Sequence, residues 1–231
     1  MEDGSQSGLE MDFSKPAIHV IVGPCGSGKS VLASSLLYHA MKAKSFKSVI
    51  VFCAHEYNTF WTDMLPEHCV RLFSVDRVLE VFRKIKKVRK ANPKAPLEPI
   101  CLLFDDVQGL FARIKQLPEW NSCLISFRHA GVTLIFLGQY PTMCTTLMRS
   151  LVNTAYMFRA TDLPAQKLLF GMTGAHFESF KEWQRAFLDA TSQKYRCMVF
   201  KNHKDTKAES YSQFICDIPP KFKINCKENG L

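Results

Sequence analysis

The stretch Gly23, Pro24, Cys25, Gly26, Ser27, Gly28, Lys29, Ser30 constrains this chain more than any other. It lies between an apolar run, Ala17 to Val22, and a helix-like run, Val31 to Met41. That fits the phosphate-loop spacing G-x-x-x-x-G-K-[ST] in the context it needs, a strand before and a helix after. Gly23, Gly26 and Gly28 lack a Cβ, so the backbone is expected to take φ > 0 and turn successive N–H groups onto phosphate oxygens. Lys29 would set its ammonium against the β- and γ-phosphates, and the Ser30 hydroxyl would ligate Mg²⁺, while the helix N-terminus adds partial positive charge. Gly23 through Val31 is the expected nucleotide-binding segment, with ATP and Mg²⁺ as cofactors. The plain alternative, a Gly/Ser-rich turn capping a helix, leaves the matching flanks unexplained.

A phosphate loop needs a largely parallel sheet covered by helices, and the chain has the material for one. Its 231 residues suit one large α/β domain, and 47% apolar against 22% charged residues argue for a sizeable core rather than a disordered chain. The expected organisation is a polar, disordered tail over 1–14, the nucleotide-binding domain over 15–218 and an extended tail over 219–231. The nine cysteines are scattered and never form C-x-x-C, which reads as reduced core thiols in an intracellular protein rather than a zinc site. Residues 1–14 lack the apolar core of a signal peptide, and no stretch reaches the roughly 20 apolar residues of a membrane helix. The expectation is a soluble protein. The net charge of +9 is partly local, because Arg83 to Lys94 holds seven basic residues and no acid. Such a run suits a polyanion, although most charged helix faces are only solvated.

Periodicity predicts strands at Ala17–Val22, Ser48–Ala54, Cys69–Phe73, Ile100–Asp105, Gly131–Leu137 and Thr154–Ala160. Their nearly unbroken apolar runs suit strands covered on both faces. Helices are expected at Lys29–Lys44, Val75–Ala91, Leu117–Ala130, Pro141–Leu151, Asp162–Phe170 and His176–Ala190. Val78, Val81, Phe82, Ile85 and Val88 would form the inner stripe of the Val75–Ala91 helix. Tyr195–Lys201 and Tyr211–Ile218 would close the domain as a β-hairpin around the polar loop 202–210.

The strand Ile100-Cys-Leu-Leu-Phe ends in Asp105 and Asp106, a Walker B arrangement. Asp105 would hold Mg²⁺ through water, and Asp106 would act as general base toward the attacking water. Gln139, just past the next strand, would hydrogen-bond the γ-phosphate or that water; a plain loop glutamine is the alternative. His55 to Asn58, at the carboxyl end of the second strand, either reach the nucleotide or form an ordinary polar loop. Arg149 is the candidate arginine finger acting on a neighbouring subunit, with Arg159 and Arg128 as rivals and a surface ion pair as the competing account.

With the phosphate loop, the Asp-Asp strand end and the Leu-Gly-Gln strand end in that order, the chain resembles the FtsK/HerA superfamily of DNA-pumping ATPases. More narrowly, it looks like the compact genome-packaging ATPases of large double-stranded DNA viruses and Maverick/Polinton-type elements, of which the poxvirus enzyme is an example. That resemblance implies a RecA-like P-loop core in which the Walker B strand is not beside the phosphate-loop strand. It also implies a hexameric or pentameric ring with sites between subunits, capsid or portal-region partners, and ATP-driven movement of double-stranded DNA into a capsid. The place would be host cytoplasm or nucleus, at the site of viral assembly or in the virion. Many superfamily members end the strand Asp-Glu; here it is Asp-Asp, as viral packaging members often have, which fits Asp106 as base with a shorter reach to the water. Two rival readings are a small-molecule or nucleoside kinase, for which no compact arginine lid is visible, and an ATP-gated virion assembly factor.

Overall fold

The computed structural model describes residues 15–56, 58–96, 98–174, 177–202 and 211–215. In chain order these form β1 (Ile18–Val22), α1 (Lys29–Lys42), β2 (Ser48–Cys53), α2 (Thr59–Thr62), β3 (Val70–Leu72), α3 (Val75–Ala91), β4 (Ile100–Asp105) and α4 (Gln108–Ile114). There follow α5 (Pro118–Ala130), β5 (Val132–Gly138), α6 (Thr146–Leu151), β6 (Thr154–Phe158), α7 (Leu163–Thr173), α8 (Phe180–Ala190), β7 (Arg196–Lys201) and β8 (Tyr211–Ile215). The strands make one sheet in the order β3-β2-β4-β5-β1-β6-β7-β8. Pairs among β1 to β6 are parallel, and β7 and β8 are antiparallel additions at one edge. This is the expected mostly parallel α/β sheet of RecA-like type, with β5 standing between β1 and β4.

Strand alternation splits the apolar side chains into two cores. Ile21, Val51, Cys101, Leu103 and Ile135 face α1 and α2, where Leu32, Ala33, Leu36, Leu37, Ala40 and Trp61 cover them. Val20, Phe52, Leu102, Phe104 and Phe136 face the opposite layer, which α3, α4, α5, α6, α7 and α8 supply. Phe104 stacks on Phe52 at 5.3 Å and on Phe136 at 4.8 Å, with Trp120 edge-on at 6.0 Å. Each such buried aromatic contributes on the order of 1.5–3 kcal/mol. Of the seven cysteines among the described residues, six are buried and Cys25 is exposed, while Cys216 and Cys226 lie outside the described residues.

Several boundaries differ from the sequence reading for local reasons. Pro141 does not start a long helix: Pro141–Met143 is a single 3₁₀ turn and Cys144 is extended. The Thr145 hydroxyl then accepts the Met148 N–H and caps α6 afresh. Ser179 caps α8 in the same way, so that helix begins at Phe180. The predicted His176 start, the loop 203–210, both tails and residues 216–218 lie outside the described residues. Val88 leaves the predicted stripe and is 63% exposed, because α3 is packed only as far as Ile85. The short helix α4 has no counterpart in the sequence reading.

Candidate active site

Three adjacent parallel strands end level with one another: Val22 pairs with Gly138, and Asp105 with Leu137. The N–H of Gly23 donates to the Gly138 carbonyl at 3.2 Å, and the N–H of Asp106 to that of Leu137 at 3.3 Å. The phosphate loop, the two acids and Gln139 therefore leave the sheet at the same edge. With strands about 4.8 Å apart, β1 and β4 stand about 10 Å from each other, room for a phosphate group and a hydrated cation. The same alternation that buries Cys101 and Leu103 turns Asp105 toward the face that carries α1.

Between them lies a cavity of about 710 Å³, lined by Cys25, Gly26, Gly28, Lys29, Ser30, Val31, Asp105, Asp106 and Gln139. Pro24 and Ser27 line an adjoining groove instead. Gly26 and Gly28 take φ of 73° and 102°, as the loop demands. Gly23 does not, and that expectation is corrected. It is needed for space, since a Cβ there would come within 2.6 Å of Phe158 Cβ and 2.7 Å of Ser27 Oγ.

Lys29 Nζ donates to the carbonyls of Gly23 and Pro24, both at 2.8 Å. Burial draws its pKa down, while Asp106, Cys25 and Asp105 act in the opposite sense. The lysine and both acids thus share one electrostatic neighbourhood.

Asp105 is 6% exposed, and both of its hydrogen bonds fall on Oδ2: Trp61 Nε1 donates at 2.7 Å and Asn58 Nδ2 at 3.1 Å. Burial raises its pKa, Asp106 adds to the rise, and the two donors and Lys29 oppose it. Oδ1 accepts no hydrogen bond among the described residues. A buried carboxylate with one committed oxygen and one free, in a cavity shared with the Ser30 hydroxyl, offers the hard oxygen donors that suit Mg²⁺.

Asp106 is exposed and sits at φ 53°, a left-handed conformation that Asp tolerates better than most residues. Gln139 Nε2 lies 3.5 Å from each of its carboxylate oxygens, at the outer limit of hydrogen bonding. Gln108 Oε1 accepts the backbone N–H groups of Gln139 at 3.0 Å and Tyr140 at 3.3 Å, fixing that loop. Of the His55–Asn58 segment, His55 and Asn58 line the cavity, Glu56 lines a separate groove, and Tyr57 lies outside the described residues.

The arginines do not join this cavity. Arg149 is exposed on α6 and reaches Thr146 Oγ1 at 3.4 Å. Arg159 donates to the carbonyls of Leu188 and Thr191 beside the adjoining groove, and Arg128 lies over the Phe127 ring. Trp61, Gln108, Lys194 and Tyr195 belong to the site but escaped the sequence reading. Trp61, Gln108 and Tyr195 act through contacts with Asp105, Gln139 and Gly28, dozens of residues away along the chain, so no spacing rule marks them. No helix of the described residues is long and apolar enough to cross a membrane.

Known proteins share this fold. The genome packaging NTPase B204 from Sulfolobus turreted icosahedral virus 2, in complex with AMPPCP, superposes with a TM-score of 0.61 at 19% identity. That match covers 88% of this chain and 98% of that one. The pCW3 conjugation coupling protein TcpA with ATPγS gives a TM-score of 0.55 at 16% identity, over 90% of this chain and 62% of that chain. EssC (ATPases 2 and 3) from Geobacillus thermodenitrificans gives 0.57 at 13%, over 83% and 38%. At these identities the likeness establishes the fold. No curated protein matches the chain. The family model described as poxvirus A32 protein matches residues 9–172, the span that holds the phosphate loop, both acids and Gln139, and the chain belongs to that family.

Proposed function

We propose that this chain hydrolyses ATP in the cavity at the sheet edge and uses the turnover to move double-stranded DNA into a viral capsid. The observation that carries the reading is the joint placement of Lys29, Asp105 and Asp106 around one cavity, with β5 between the strands that deliver them. The family and the fold shared with nucleotide-bound packaging and coupling proteins support it.

In this account the backbone N–H groups of Gly26 to Ser30 and the start of α1 cradle the phosphates, and the Lys29 ammonium leaves the loop carbonyls for the β- and γ-oxygens. Ser30 and Asp105 would hold Mg²⁺, which when bound neutralises charge on the β- and γ-phosphates. Trp61 and Asn58 keep Asp105 from rotating. Asp106 accepts a proton from the attacking water, and Gln139, across from it, orients that water.

The motor would be a homo-oligomeric ring, hexameric or pentameric, in which Arg149 serves the neighbouring subunit. It would work with capsid or portal-region proteins at the assembly site, in host cytoplasm or nucleus, or in the virion. Steady-state hydrolysis with and without long duplex DNA, run beside a mass measurement, tests the reading. Stimulation by DNA in an assembled species is expected. Phosphate transfer to a nucleoside would favour a kinase, and turnover altered by a capsid protein but not by DNA would favour an assembly factor.

A further inference from the structure

The cavity does not end at the phosphate loop. It continues past Gly28 to Phe158, Lys194 and Tyr195. In the sheet, β4 and its acids lie on one side of β1, and β7, which Tyr195 immediately precedes, lies on the other. The cavity thus has a charged end for hydrolysis and an aromatic end with no part in it.

Tyr195 is an unusual residue in its own right. It takes φ 64°, a genuine outlier for a bulky side chain. The residue is 48% exposed, and its ring reaches the loop, 3.3 Å from where a Cβ on Gly28 would stand. Strain of this kind persists where the surroundings impose it, and often at ligand clamps. The Lys194 ammonium lies over the ring, 4.8 Å from its centre, so one face of the ring already holds a cation that a planar group could displace. The adjoining groove brings Ser192 and Gln193 beside Pro24 to Ser27, polar groups within the same neighbourhood.

We infer that the Tyr195 ring is the stacking surface for the nucleobase of the bound nucleotide, the base taking the place of the Lys194 ammonium on it. The inference rests on the nucleotide reading of the cavity. Stacking uses the π-face that every base has, so the subsite favours purines by area without reading one base strictly.

The test measures equilibrium binding of Mg²⁺-ATP and of inorganic tripolyphosphate, which has no base, to the full chain and three variants. Tyr195→Gly removes the ring and accepts the left-handed backbone, Tyr195→Asn does so while keeping a side chain suited to that φ, and Tyr195→Phe keeps the ring. The expected result is ATP affinity lowered roughly tenfold to a hundredfold in the Gly and Asn variants. Tripolyphosphate binding should be unchanged throughout, and Tyr195→Phe should match the wild type. ATP affinity unchanged in the folded Gly or Asn variant overturns the inference, as does an equal loss for both ligands, which would make the ring a prop for the loop. A wild type that binds neither ligand contradicts the nucleotide reading itself, and the base subsite falls with it.

Discussion

Gln108 Oε1 accepts the backbone N–H of Gln139 at 3.0 Å, tying the start of α4 to the turn after β5. A second bond from Tyr140 N–H makes the same oxygen a two-point anchor. Space for it is tight, since a Cβ on Gly138 would stand 3.1 Å from that oxygen.

Gln108→Leu removes the acceptor and strands two N–H groups, letting the Gln139 turn drift from Asp106. We expect kcat to fall about tenfold, the equivalent of one to two hydrogen bonds, with KM for ATP little changed. Gln108→Glu keeps an acceptor and should recover most of the loss. Steady-state kinetics check this; equal defects in the Leu and Glu variants would remove Gln108 from the positioning role.

The basic face of α3 is partly spoken for. Arg83 makes two bonds to Glu119, at 2.8 and 2.7 Å, and Lys84 reaches Glu80 at 3.3 Å. Lys86 only touches Ser122 at 3.5 Å, Arg89 binds the Ala95 carbonyl at 2.5 Å, and all of these groups are exposed. Changing Lys86, Lys87 and Arg89 together to Glu should weaken duplex DNA binding and flatten its salt dependence by about 0.9 per lost phosphate contact. An unaltered slope in a salt titration returns α3 to plain solvated surface.

Arg149 lies outside its own chain's cavity, as a residue serving a neighbour must. Mixing Arg149→Ala subunits with Lys29→Ala subunits should restore part of the hydrolysis that each lacks alone. No recovery at any ratio leaves Arg149 a surface residue.

His19, in the middle of β1, is buried, and burial lowers its pKa from 6.5 to about 4. The unfolded chain takes its proton near pH 6.5 and the folded chain only near 4, so the unfolded state binds more protons in between. Stability is full above 6.5 and falls as the pH drops toward 4, by about 3 kcal/mol. Denaturant unfolding of His19→Leu should lose that share of the pH dependence; identical profiles would assign the acid sensitivity elsewhere.

Much of the architecture was legible because it repeats locally. Unbroken runs such as Ser48–Cys53 and Ile100–Phe104 announce doubly covered strands, and the stripe through Val78 and Phe82 announces α3. The phosphate loop was legible because its function requires glycine and lysine at fixed spacing. The supporting residues were not. Trp61 and Asp105 are 44 positions apart, and Gln108 and Gln139 31 apart, so only the folded sheet brings them together. Gly23 shows a subtler limit, since its residue type was foreseen for φ and is used for clearance from Phe158.

The central claim is that a triphosphate is gripped between the loop opening α1 and the acids ending β4. ATP turnover by Lys29→Ala measures it most directly. Removing the ammonium should lower turnover at least about a hundredfold, in line with losing a donor aimed at developing charge. Turnover close to that of the wild type would contradict the account.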